Sequence, residues 1–591
     1  MLRSVRVDPS STPTSTRQRH RKTGCPQLKQ APTSRSLGSN LDKLAGCGDS
    51  TAGSKNPTEE KQLQMKRPRL LVLLALVVVM VMVIMWPKTK QLHFTLGWAS
   101  RHNPGSDKLK GVNLPVTRDV RVHEPWPEVE APQGRPRLAY DTVYWLWCSG
   151  DSNVLEFRHY LSLLSAVRVL HPITLVMYYN KMPATDTYHS WLEEMKYSLP
   201  NLEFREFSSV ACEGEKLRTL ALGILSKTGG VLMGASTILT RHPDLVEPVQ
   251  TFLLKDENAG FRGLVIADGP FKVEGKITKL FDNFEINLAD CLIVDKAVFP
   301  RDIVVAGTPF AEFARWLFYG RRKAMIVERE ESPIPRVTHY VRFQGSRYAK
   351  ELSFQHYLSV LSALHVAGFT QVFVHGDAEP TGPLWEDLKR ENVTFVRLQK
   401  PKFVFQNKIE VVEHASDISR YLLLYKFGGV YQDWDVLWVQ RFPDSLLSYP
   451  AVIGVDMFNY SWPDSLNNGV LAAHARSHFL HHFLATHREY FDTDWGRNSL
   501  QMSYRTWELY PMTVVIDRHL HVMCWFPKCY PTWMPGHTGP WTLKDTLSVH
   551  VPLPKPPASL LSPQRVKNSA DLLAQIAKLV LKASGRERVL A

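Results

Sequence analysis

Residues 414–439 read HASDISRYLLLYKFGGVYQDWDVLWV. Ile418, Tyr421, Leu422 and Tyr425 recur at helical spacing, and Gly428 and Gly429 stop the helix they predict. A strand over 429–431 follows and runs into Asp433, Trp434 and Asp435, with the apolar residues 436–439 continuing it. Carboxylates at i and i+2 on extended chain point the same way. At a strand end they face a crevice, where two like charges repel unless a cation sits between them. Oxygen donors suit a hard divalent ion, magnesium or manganese.

The parts come in a fixed order: Asp417 and Arg420 on the helix, then Gly428, Gly429, Tyr431, Asp433 and Asp435. That order resembles the nucleotide-sugar core of glycosyltransferase family 32, the DXD group that includes initiating mannosyltransferases and alpha-1,4-galactosyl- and N-acetylglucosaminyltransferases. Gln432 departs from the family pattern, which has an apolar residue there. The resemblance implies a metal-dependent, retaining hexose transfer from a nucleotide-diphosphate sugar to a glycan, lipid or protein acceptor. It implies Asp433 and Asp435 as the catalytic, metal-holding pair, with Mn2+ or Mg2+ as the ion. Asp417, Arg420, Gly429, Tyr431 and Asn468 are the expected substrate-binding residues. Asn467, Asn468 and Gly469 resemble the segment beyond the DXD; a turn before a strand is the alternative reading. Ser548, Val549 and His550 resemble the family's late strand, making His550 a candidate third ligand, with a plain strand-end histidine as the alternative. Residues 536–540, GHTGP, resemble its late Gly-Pro turn.

The chain also repeats itself. FRHYLSLLSA at 157–166 mirrors FQHYLSVLSA at 354–363, and KTGGVLMG at 227–234 mirrors KFGGVYQD at 426–433. Each copy runs strand, apolar helix, strand, helix, strand, apolar helix and Gly-Gly strand. Alternating strands and helices predict a parallel sheet covered on both faces. The expected class is α/β: two tandem doubly wound, Rossmann-like domains of the nucleotide-diphospho-sugar transferase type, at 138–330 and 336–555. The copies part where the chemistry lies. An offset of 199 sets Gly234 against Asp433, Ser236 against Asp435, Arg218 against Asp417 and Ala221 against Arg420. The first copy therefore reads as the fold without its metal site, either a glycan- or partner-binding module or a scaffold.

Composition places the rest. Of the net charge of +14, +9 falls in residues 1–69, which hold fourteen Lys/Arg against five Asp/Glu. The basic balance thus belongs to a tail poor in apolar residues, expected to be disordered and cytosolic, and no nucleic-acid module is read. Residues 70–86, LLVLLALVVVMVMVIMW, carry no charge and predict one transmembrane helix. The flanking charges favour a single-pass type II protein of the Golgi or endoplasmic reticulum with its bulk in the lumen. A Pro-rich stem follows at 87–137. Five of the seven cysteines come later, and Cys524 and Cys529 are spaced to bridge or to remain thiols. Asn392 and Asn459 open glycosylation sequons. His474, His478, His481, His482 and His487 scatter around a helix and are read as a surface face, not a zinc site. The weakly amphipathic helix predicted at 570–583, in a tail from 556 to 591, is left unassigned.

Two other classes compete. A phosphohydrolase also uses paired Asp but needs further ligands beside them, which residues 431–440 lack. A catalytically inactive, glycan-binding membrane protein of glycosyltransferase type is the alternative that the first copy suggests.

Overall fold

The computed structural model describes residues 141–148, 153–184, 191–207, 214–243, 249–253, 263–272, 291–344, 350–456, 465–523, 546–551 and 560–591. Every described residue lies in one compact unit of the chain, Leu92–Ala591. The basic tail, residues 70–86, the stem, Cys212, Cys524, Cys529, Asn459 and residues 536–540 lie outside the described residues. Among the described residues no helix is long and apolar enough to cross a membrane.

Two sheets form. The first holds β1 (Thr142–Trp147), β2 (Thr174–Tyr179), β3 (Leu202–Glu206), β4 (Gly230–Gly234), β5 (Val249–Leu253) and β6 (Gly263–Ala267), in the order β3-β2-β1-β4-β6-β5. The second holds β7 (Val337–Arg342), β8 (Gln371–Gly376), β9 (Val393–Arg397), β10 (Gly429–Gln432), β11 (Ala451–Asp456), β12 (Ser465–Ala473) and β13 (Val515–Asp517). Its order is β9-β8-β7-β10-β12-β11-β13, the same path with one strand added at the far edge.

Neither sheet is the all-parallel one expected. The first four strands of each order are parallel, but β6 runs antiparallel to β4 and β5, and β12 antiparallel to β10 and β11. Antiparallel neighbours need no helical crossover. The segment between β10 and β11, which lie on either side of β12, carries the strand Val436–Trp438 and a four-residue helix, Asp444–Leu447. The class is α/β with mixed sheets.

Small polar contacts recur between the halves. The Phe157–Leu170 helix sends Ser162 to the Thr237 carbonyl, and Ser165 Oγ accepts from the Leu239 amide. The Phe354–His365 helix sends Ser359 to the Val436 carbonyl (2.7 Å), and Ser362 Oγ accepts from the Trp438 amide (3.1 Å). Apolar strand residues fill clusters on both faces of each sheet. The helix left unassigned forms at Leu572–Ala583 and is strongly one-sided. Leu573, Ile576, Ala577, Val580 and Leu581 enter the second-half core, so that core extends past residue 555. Arg586 ties this end to Asp387 and Glu391, each at 2.7 Å.

Candidate active site

The Val412–Phe427 helix ends where Gly428 (φ 67°) and Gly429 (φ 106°) turn the chain into β10. A side chain at Gly429 would meet Val337 and His339 at about 3 Å, so only glycine lets β10 start against β7. Helix and strand then run antiparallel, which brings Asp417 and Arg420 back over the strand's far end.

The expected continuous strand does not form. The chain turns at Trp434 and Asp435, where the Val436 amide donates to the Asp433 carbonyl (3.2 Å), and Val436–Trp438 joins a separate small sheet beside Ser548–His550. Extended geometry is therefore not what aligns the two carboxylates. Asp433 is held by its amide on the Gly469 carbonyl (2.8 Å), and Asp435 by its carbonyl accepting from the Val551 amide (2.9 Å). Val436 pairs with His550, so the small sheet delivers the imidazole to the pair.

One ligand atom each from Asp433, Asp435 and His550 lies within 4.8 Å of the others. His550 Nε2 stands 3.1 Å from Asp435 Oδ1 and 3.8 Å from Asp433 Oδ2. The imidazole is 6% exposed, while the carboxylates keep 25% and 31%, so the group opens to solvent on its acidic side. Gly469 makes room for the ring: a Cβ there would sit 2.5 Å from His550. His550 Nδ1 is buried without a hydrogen-bond partner. Two carboxylates and an imidazole match the donor preference of a divalent ion such as manganese. Burial opposes charge on both Asp435 and His550, yet their mutual attraction wins: the Asp435 carboxyl lies below its ordinary pKa and the His550 imidazole above its own.

Beside this group Arg420 organises a buried network. Its Nη2 reaches Asp417 (3.1 Å) and Asp433 (3.0 Å), its Nη1 donates to the backbone and side-chain oxygens of Asn468 (both 3.1 Å), and its plane lies 4.1 Å from the Tyr431 ring. Tyr431 donates to Asp433 (2.7 Å), and Asn468 donates to the Tyr421 hydroxyl. Burial pushes the Asp417 carboxyl up to about 6 despite the arginine. Arg420 stays charged because Asp433, Tyr431 and Asp417 outweigh its own burial. Gln432 points away, accepting from Trp438 Nε1 (2.7 Å) in the core.

Asp417, Arg420, Tyr431, Asp433, Asp435, Asn468 and His550 thus fall in one cluster, while Gly429 lies at the other end of β10 against Val337 and His339 and Asn392 is exposed away from it. Asn467 contributes too, its side chain accepting from the Gly469 amide (2.7 Å). Sequence reasoning missed His356, close enough to Asp435 for its pKa to feel that charge, because it sits inside the repeated FxHYLS block and reads as core. It also missed His521, whose buried ring packs against His550 (5.6 Å between centroids) and fills the space beside Gly454. No motif marks that position. The histidine cluster is only partly a surface face: His487 is buried, with a pKa near 4, and His482 stacks on Tyr510 at 3.7 Å. Among the described residues, Asp433, Asp435 and His550 are the one group spaced to hold a metal.

Residues 355–453 match the family described as the glycosyltransferase sugar-binding region containing the DXD motif. A curated relative, Glucan organizing enzyme 1 of Cryptococcus neoformans var. grubii, is 28% identical over 185 residues, 30% of this chain and 49% of the relative. The chain therefore spans about half the length of that relative. Among solved structures, the PaToxG glycosyltransferase is similar at 20% identity, covering 30% of this chain and 70% of that one, with a TM-score of 0.23. A glycosyltransferase involved in glycosylation of the major capsid of PBCV-1 is similar at 14% identity, covering 36% and 92%, with a TM-score of 0.21. The family match spans the helix, the glycine pair and both carboxylates of the cluster, so residues 355–453 are similar to the sugar-binding region of the DXD glycosyltransferases.

Proposed function

We propose that the second half transfers a hexose from a nucleotide-diphosphate sugar to a glycan, lipid or protein acceptor, with a manganese or magnesium ion held by Asp433, Asp435 and His550. The observation that carries this reading is the three-ligand group within 4.8 Å, open on its carboxylate side and braced from behind by Arg420 and Tyr431. When bound, the ion neutralises the charge that a departing diphosphate develops. The chain's own task is placement. Arg420 and Tyr431 fix the Asp433 carboxylate, and the Asp435–His550 pair fixes the other. Arg420 is spent on two carboxylates and Asn468, so it supports the site and is not left over to grip a phosphate. Asp417 and Asn468 close the network on the sugar side. Retention of anomeric configuration follows the family resemblance.

The same reading places the catalytic part in the lumen of the Golgi or endoplasmic reticulum, anchored as a type II protein by residues 70–86. The charge-free apolar run with basic residues before it supports this. Asn392 is exposed, as a glycosylated sequon must be. We read the two halves as tandem copies of one domain, on their common strand order and shared serine contacts.

Nucleotide release from a panel of sugar nucleotides tests the proposal, with manganese and with chelator. Release with at least one donor, lost on chelation and in His550→Ala, is expected. Metal-independent release, or full activity in His550→Ala, would contradict it.

A further inference from the structure

Under the end of the Val412–Phe427 helix, on the face of the second sheet that also carries Tyr431, lies a cavity of about 270 Å³. Val337 and His339 of β7, Phe373 and His375 of β8, Val396 and Arg397 of β9, and the end of the Val412–Phe427 helix enclose it. Its walls are apolar apart from the two histidines and the exposed Arg397. An apolar cavity of about 150 Å³ holds a single benzene ring, so this one has room for two fused rings.

The histidines have a fixed polarity. The Gly428 carbonyl can only accept, so His339 Nε2, 3.0 Å away, carries the proton. His339 Nδ1 is then the acceptor and His375 Nε2, at 3.0 Å, the donor. The one nitrogen left is His375 Nδ1, a bare acceptor with no hydrogen bond of its own. Burial keeps both rings neutral, with pKa values of about 4 and about 3.

The first half shows what fills the matching place. Strand registers align Tyr144 with His339 and Tyr178 with His375: Tyr144 pairs with Val176 and Leu232 as His339 pairs with Phe373 and Tyr431. Two phenol rings, 6.0 Å apart, pack there with Phe207 nearby, and the Tyr144 hydroxyl hydrogen-bonds Thr228 (2.6 Å). The second half carries smaller imidazoles where those phenols stand, and there a cavity has an acceptor in its wall.

We propose that this cavity binds a small hydroxylated aromatic molecule, its rings among Phe373, Val396, Leu398 and Leu423 and its hydroxyl donating to His375 Nδ1. The probe is 2-naphthol, compared with 2-methylnaphthalene, a near-isostere without the donor. Affinity is measured on the full chain by calorimetric titration, with the thermal midpoint as control for folding. The expected result is that naphthol binds about tenfold more tightly, the worth of one hydrogen bond. His375→Phe should abolish that preference, and Val396→Trp, which fills the space, should abolish binding. Equal affinity for the two probes, no binding of naphthol, or unchanged binding in Val396→Trp would each overturn the proposal. Val396→Trp and the probe comparison keep the test decisive should His375→Phe fail to fold.

Discussion

The two halves of the folded part share a strand order and a glycine-pair turn but differ at the charged site. Gly229 and Gly230 have φ of 69° and 110°, and Gly428 and Gly429 have 67° and 106°. Thr237 pairs with Ile293 as Val436 pairs with His550, and the Val294 amide donates to the Ser236 carbonyl as the Val551 amide does to that of Asp435. The three-ligand set of one half is therefore Gly234, Ser236 and Ile293 in the other, and Arg420 faces the counterpart Ala221, which is fully buried in an apolar cluster. The backbone can lose the whole charged site and stay folded. The comparison teaches that the fold's stability rests on the strands, glycines and serine contacts, while the site is an added and costly polar layer.

The sharpest way to break this comparison is to give the second half the first half's residue at Arg420. Arg420→Ala strands the buried Asp417 beside Asp433, and removing one partner of a buried pair costs about 3–5 kcal/mol. Asp417→Ala made together with Arg420→Ala should recover part of that loss, since it removes the carboxylate left without its partner. Thermal or denaturant unfolding of both variants checks it. Equal losses for single and double variants would mean that the network is not the source of the cost.

A second test addresses the seam between the halves. Arg505 joins Glu194 of the first half (3.2 Å) to Glu508 of the second (3.3 Å), and Tyr319 donates to the Glu508 carbonyl (2.6 Å). Burial raises the Glu508 carboxyl from 4.5 to about 7. The folded state then holds a proton that the unfolded chain has released, so this group costs stability as pH rises from about 4.5 to about 7. The cost is on the order of 3 kcal/mol. Unfolding measured from pH 4.5 to 7.5 should show Glu508→Gln with a flatter decline than wild type; an identical slope would remove Glu508 from the account.

The smallest effect expected is also the most symmetrical. Gly230→Ala and Gly429→Ala place a side chain at positive φ against the neighbouring strand, and each should cost about 1–3 kcal/mol. Matching losses support a common backbone plan. A loss confined to Gly429→Ala would show that its glycine serves the site instead.

Much of this was legible in the sequence because the repeat and the DXD order are local signals. The Gly-Gly stop, the FxHYLS helices and the strand preceding each needed no tertiary information. Sheet direction was not legible, since the antiparallel return of β6 and β12 depends on which neighbour a strand meets. The turn at Trp434 and Asp435 was hidden for the same reason: the apolar run at 436–438 suits a strand but does not say in which sheet. His550 could be named only by resemblance, and its counterpart Ile293 only by register. The Arg420 network shows a further limit, because spacing places an arginine one turn from an aspartate but not its sharing between two carboxylates.

The central claim is that chemistry belongs to the second half alone. It is tested most directly by metal-dependent turnover of sugar nucleotide in Asp435→Asn and Ser236→Ala, with thermal midpoints measured alongside. Asp435→Asn is expected to lose about a hundred- to thousand-fold in turnover while keeping its fold, and Ser236→Ala to match wild type. Near wild-type turnover in Asp435→Asn, or its loss in Ser236→Ala, would contradict the account.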